Sequence, residues 1–342
     1  MIVGCNTDPA WFSDDLAAHA RNLKAAGFSM ARFPLVYSDS TNIYREFCLA
    51  LNHEQIEPLP VFVRESTSGA GISEVSIRWW AELLPWATHW QIGNEADHKS
   101  PSSWTMDEGR FSALLRHARA AMPYAYLIAG AMVSGNPEYL DGCDLGPVDA
   151  IAIHGYGQRP DGYRGVTWGF GWLHDLYARY ERFGKPIWGT EYGGTVDVGS
   201  GQFKTEGIFD DQADRANYYT RYIATFANTG GAGVFPFKFE DMGVPGYGIV
   251  GTPALAAVSA AIANLQDTTP VVETETGSGF TGGPMKLEEL AAIQYGGLYS
   301  PPVVIGGTKK KPTARIAWVN RPEHAFILEI NGEADGPYLP NQ

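Results

Sequence analysis

From Ile2 to about residue 265 the chain repeats one pattern: a short apolar or β-branched run, a loop, then a stretch with helical periodicity. Strands separated by helices cannot pair as hairpins, so the repeat predicts a parallel sheet covered by helices. We read strands at 2–6, 29–33, 57–63, 89–94, 126–130, 149–154, 186–190 and 233–239. Eight strands in roughly 250 residues is the arithmetic of an α/β fold of the (β/α)8 TIM-barrel type. Ser13 is placed to cap the helix that runs to Ala26, with Gly27 stopping it, and Thr105 with Glu108 forms a capping box ahead of a helix over 111–122. Further helices are expected over 43–52, 73–87, 172–183, 211–228 and 253–265, with only a short turn over 137–140 in the Gly- and Pro-rich fifth unit. The barrel is thus assigned to residues 1–265.

Beyond it the texture turns to Thr, Gly and Pro, with apolar or alternating runs at 303–305, 315–319 and 325–330. This predicts a small C-terminal β appendage over 266–342, its last two strands joined by 321–324.

In such a barrel, side chains at the C-terminal strand ends meet the loops, and chemistry is sought there. Glu95 closes the fourth strand and Glu191 the seventh, across the barrel mouth from one another. Strand alternation puts Gln91 and Gly93 on the face of Glu95, and Ile187 and Gly189 on that of Glu191, the glycines leaving room beneath each carboxylate. By the same count Trp188 points outward to the helices. Two carboxylates spanning a substrate are what glycosidic bond cleavage requires, one to protonate the leaving oxygen and one to attack or to position water. The sixth strand ends in His154 and Tyr156 on its inward face, and a tyrosine hydroxyl beside a carboxylate favours its ionised form. Trp104, Trp168 and Tyr192 follow strands at the presumed mouth, where flat rings suit the C–H faces of sugars as well as ordinary packing.

Asn94-Glu95 on strand four, His154-x-Tyr156 on strand six and Glu191 on strand seven resemble the clan A glycoside hydrolases, of the family 5 and family 39 types, across the barrel to about residue 265. The resemblance implies a retaining hydrolase with Glu95 as acid/base and Glu191 as nucleophile. It further implies Asn94 on the sugar 2-hydroxyl, with Arg32 and Tyr156 beside the nucleophile. The chain departs from many relatives at strand eight, where Phe235-Pro-Phe-Lys-Phe-Glu240 replaces a tryptophan and places Lys238 and Glu240 on one face; no clear histidine ends strand three. Lys238, Glu240 and His154 complete the expected saccharide-binding set. An aldolase-like role for Lys238 as a Schiff base leaves both glutamates unexplained.

Composition trims the alternatives. A net charge of −13 opposes binding of nucleic acid. No apolar run approaches the roughly 20 residues of a membrane span, and no export signal is read at Met1, so no compartment is assigned. Cys5, Cys48 and Cys143 fit neither a disulfide framework nor a zinc site, and Asp97-His98 without further ligands is a loop rather than a metal centre. No cofactor motif is found. The expected partner is an oligo- or polysaccharide. Two alternatives share these residues: a barrel that binds saccharide without cleaving it, within a surface or virion assembly, and a transglycosylase.

Overall fold

The structure, a computed structural model, describes residues 1–11, 15–36, 42–64, 74–97, 106–132, 137–156, 171–196, 208–209, 211–241 and 246–267, and four C-terminal strands. The chain divides into two compact units, Met1–Gln266 and Asp267–Gln342.

In the first, eight strands are wound in parallel: β1 (Ile2–Asn6), β2 (Met30–Val36), β3 (Glu57–Arg64), β4 (His89–Ile92), β5 (Tyr126–Ala129), β6 (Ala150–His154), β7 (Ile187–Tyr192) and β8 (Gly233–Pro236). They close in the order β1-β8-β7-β6-β5-β4-β3-β2. Between and after them run α1 (Leu16–Ala25), α2 (Asn42–His53), α3 (Glu74–Leu83), α4 (Glu108–Ala121), the single turn α5 (Glu138–Asp141), α6 (Gly171–Glu181), α7 (Gln212–Asn228) and α8 (Pro253–Asp267). The fold is the predicted α/β (β/α)8 barrel.

Helix boundaries differ from the sequence reading in their capping groups. Asp15, not Ser13, caps α1 by accepting from the Ala18 amide. Asp107 caps α4 by accepting from the Arg110 amide, so Glu108 is the first helical residue. An ionised carboxylate serves the unpaired amides and the positive helix end together, an advantage a hydroxyl lacks. Ser13 and Thr105 lie outside the described residues.

Two apolar layers result. Inside the barrel pack Met30, Leu59, Ile128, Ala150, Ala152, Trp188 and Phe235. Trp188 and Phe235 stack with centroids 6.0 Å apart, and a Cβ on Gly4 would stand 2.1 Å from the Phe235 ring, so a glycine and two alanines make room for two large rings. The larger layer lies between strands and helices: α1 buries Leu16, His19, Ala20 and Leu23 at the spacing of one helical face.

The position of Trp188 corrects the outward direction expected of it. Ile153 and His154 are consecutive, yet their partners Gly189 and Glu191 are two apart. Val234 and Pro236 are two apart, yet their partners Gly189 and Tyr192 are three apart. Strand β7 therefore carries one extra residue between Gly189 and Glu191, and this bulge lets Trp188 and Glu191 both face the barrel axis despite opposite parity.

The C-terminal unit is an antiparallel sheet in the order β9 (Val304–Ile305), β10 (Ala314–Trp318), β11 (Phe326–Ile330) and β12 (Glu333–Tyr338). Strand β12, missing from the sequence reading, contains Gly336 and Pro337, which signal a loop; as an edge strand it tolerates the proline. The joining segment 321–324 lies outside the described residues. No helix among the described residues is long and apolar enough to cross a membrane.

Candidate active site

Arg32, on β2 and 5% exposed, organises the mouth of the barrel. Its Nε donates to Gln91 Oε1 at 2.8 Å, Nη1 to Glu191 Oε1 at 2.8 Å and to Asn6 Oδ1, and Nη2 to Asn94 Oδ1 at 2.6 Å. Asn6 in turn donates to the carbonyls of Thr190 and Pro236, tying the bulge of β7 to β1 and β8. A guanidinium with this many aligned acceptors fixes each of them in direction as well as distance.

Glu95 reaches the same place by a turn rather than by strand alternation. β4 ends at Ile92, Gly93 has φ +80°, and Glu95 itself has φ +51°, a left-handed conformation unusual outside glycine. The glycines expected to clear space for the carboxylates serve the outer layer instead. A Cβ on Gly93 would stand 2.7 Å from Phe111 of α4, and one on Gly189 would meet Phe226 of α7.

The imidazole of His154 stands between the two glutamates, with Nδ1 2.8 Å from Glu95 Oε1 and Nε2 3.4 Å from Glu191 Oε1. An oxygen of Glu95 and one of Glu191 lie within 4.8 Å of each other. Tyr156 donates its hydroxyl to Glu191 Oε2 at 2.8 Å. Burial raises the pKa of Glu191, but the charges of His154 and Arg32 and the hydrogen bonds from Tyr156 and Arg32 outweigh it, and the carboxyl is held below the ordinary range. The Tyr156 hydroxyl is driven well up by burial and by Glu191, so it remains a donor. Glu95, His154 and Glu191 could point three ligand atoms at one cation. Arg32 and Tyr156 already occupy both oxygens of Glu191, however, and the guanidinium holds positive charge where a metal would place its own. The set suits proton handling and attack by a carboxylate.

Of the remaining expected site residues, Tyr192, Glu240 and Lys238 are among those described. Tyr192 is fully buried, its ring stacked on Tyr222 of α7 at 4.0 Å, because the residue after the inward Glu191 must face the helices; the expectation that it lines the sugar site is corrected. Glu240 is engaged by His19 at 3.0 Å and by Thr7, just after β1, at 3.1 Å. Lys238 is 8% exposed, and burial lowers its pKa against the opposing charges of Asp8, Glu240 and Asp241. Trp104 and Trp168 lie outside the described residues. Sequence reasoning overlooked Asn6, Phe237 and Tyr247. Asn6 ends β1, a position that could have drawn attention to it; Phe237, just past β8, packs on Tyr156 at 6.1 Å. Tyr247 packs on both Phe237 and Tyr156 from a loop that carries no signal in the sequence.

No protein-family model matches the chain, and no curated protein matches it in sequence. Solved structures do. The endo-1,4-β-mannanase of Rhizomucor miehei superposes over 77% of this chain and 95% of its own, with a TM-score of 0.55 at 13% identity. A family 128 endo-β-1,3-glucanase from Amycolatopsis mediterranei, in complex with laminaripentaose, covers 76% and 99% with a TM-score of 0.51 at 18% identity. The catalytic domain of the major endoglucanase of Xanthomonas campestris covers 76% and 94% with a TM-score of 0.51 at 11% identity. The chain shares the barrel fold of these glycosidases. The shared portion corresponds in extent to the barrel unit, and the neighbours are themselves nearly covered by it.

Proposed function

We propose that the chain is a retaining glycoside hydrolase that cleaves β-glycosidic bonds of an oligo- or polysaccharide by double displacement. The observation that carries the reading is the pair of carboxylates bridged by His154, with oxygens within 4.8 Å and unlike surroundings. Retaining enzymes hold their carboxyls about 5–5.5 Å apart, whereas inverting ones need about 6.5–9.5 Å to admit a water.

Glu191, ionised and gripped by Arg32 and Tyr156, attacks the anomeric carbon as Glu95 protonates the departing oxygen. The glycosyl–enzyme then loses its sugar to a water that Glu95 deprotonates. Arg32, His154 and Tyr156 are positioning residues. Because Asn94 Oδ1 is held by Arg32, its amide NH2 is free in direction to donate to the sugar's 2-hydroxyl. Phe237 offers an apolar face to the ring. The mannanase, endoglucanase and β-1,3-glucanase neighbours make β-linked mannans and glucans the first substrates to try.

The test is release of reducing ends from β-1,4-mannan, β-1,4-glucan and β-1,3-glucan oligosaccharides by wild type, Glu191→Ala and Glu95→Ala. Each variant should lose about a thousandfold or more in kcat/KM. Wild-type activity that survives loss of Glu191 overturns the mechanism, and products carrying a new glycosidic bond in place of hydrolysis identify a transglycosylase.

A further inference from the structure

Helix α7 carries an arginine whose position the reaction does not explain. Arg215 is 2% exposed, and no carboxylate among the described residues lies within ion-pair distance of it. Burying a guanidinium costs free energy for each donor left without an acceptor. Nε of Arg215 has none among the described residues, so the acceptors reached elsewhere on the guanidinium are what fix it. Here one nitrogen donates to two backbone carbonyls, Tyr247 at 2.6 Å and Gly248 at 2.9 Å, and the cation stands 5.6 Å from the ring centre of Tyr219. Tyr219, one turn further along α7, donates its hydroxyl to the Phe237 carbonyl at 3.4 Å. The helix thus holds the backbone of the two residues whose rings pack on Tyr156: Tyr247 at 6.5 Å and Phe237 at 6.1 Å, themselves 5.6 Å apart. Tyr156 ends this chain of contacts on Glu191.

We infer that Arg215 is a positioning residue, which clamps the loop after β8 from behind so that the Tyr247 and Phe237 rings seat Tyr156 with its hydroxyl on Glu191. The inference rests on the reading of Glu191 as the nucleophile only for its effect on rate; the mechanical link stands on the contacts alone. Glu191 is faced by Arg32 from β2, by Glu95 from the turn after β4, by His154 from the end of β6 and by Tyr156 two residues beyond it. Of these, the clamp acts through Tyr156. Loss of Arg215 should therefore resemble loss of the Tyr156 hydroxyl.

The experiment follows the Glu191 side-chain carbon by NMR in protein labelled with 13C-glutamate, the signal being assigned by its absence in Glu191→Gln. The titration midpoint should rise by about one pH unit in Tyr156→Phe and in Arg215→Met, and no further in the double variant. Arg215→Lys, which keeps a cation but not two aligned donors on two carbonyls, should fall between. If Arg215→Met does not fold, Tyr247→Leu takes its place, leaving the clamp and removing the ring it aims; it should give the same rise. A midpoint unmoved in the folded Arg215 or Tyr247 variant overturns the inference, as do single-variant shifts that simply add in the double. In a substrate assay the clamp predicts a fall of about tenfold in kcat with KM within about twofold. A wild type silent on every saccharide counts against the proposed function and leaves the titration result standing on its own.

Discussion

Arg32 draws together side chains from β1, β4, β7 and the turn after β4, and Glu191 is the charged member of that set. Replacing Arg32 by methionine keeps the stem's volume but leaves a carboxylate buried without its cation, a change that typically costs about 3–5 kcal/mol. Chemical denaturation near neutral pH should report a loss of this order in Arg32→Met. The loss should shrink toward acid pH, where Glu191 takes up a proton and no longer needs the partner. Tyr156→Phe acts on the same carboxylate more gently. Removing a donor to the ionised form raises the Glu191 pKa, so the acid limb of the kcat/KM profile should move to higher pH while the alkaline limb stays in place. A profile unchanged on its acid side would show that the hydroxyl contributes nothing to the ionisation of Glu191.

At the level of elements, the turn after β4 and the bulge in β7 aim the two glutamates. Gly93 combines φ +80° with a site for Cβ only 2.7 Å from Phe111, so Gly93→Ala should lose about 1–3 kcal/mol and displace Glu95 along with it. A lowered Tm with activity reduced beyond the loss of folded protein is the expected outcome. These same two places mark where the sequence stopped being legible. The succession of strands follows from the repeat of apolar runs and helical stretches, and the inward face of Ala150, Ala152 and His154 follows from alternation; the aim of Glu95 and Glu191 follows from neither. Alternation has no term for an added residue, so it sends Trp188 outward; Tyr192 is expected at the mouth only for following Glu191, and alternation itself turns it to the helices. Pairing of β7 with β6 and β8 reveals the bulge, and pairing is a property of three strands at once. The caps failed for a smaller reason: several polar residues cluster before α1 and α4, and which one meets the helix end depends on where the chain arrives in space.

For the whole molecule, the division after Gln266 suggests that a chain ended at Asp267, which preserves α8 entire, folds by itself. We expect a single cooperative thermal transition from it, with the barrel's circular dichroism intact; a disordered product would tie the barrel's folding to the C-terminal unit. Acid should act on the barrel through two carboxylates at its opposite ends. Glu191 at the mouth and Glu57 at the start of β3 are both pushed up by burial, yet both end below the ordinary range of about 4.5. His154 and Arg32 hold down the first, His89 and Thr88 the second. A depressed carboxyl contributes stability above its unfolded pKa and loses it as the pH falls through the folded value, so Tm should decline from about pH 5 downward. Glu57→Gln should flatten that decline without touching the mouth.

The added residue in β7 also bears on how kinship is traced. A relative with a regular seventh strand would show the same inward face one position sooner, so aligning it with this chain requires a gap opposite Thr190. An alignment run straight through would set Glu191 against a residue that faces the helices and score the proposed nucleophile as a mismatch. Between barrels that share so few identities, ancestry at this strand is recorded in the count of residues rather than in their letters.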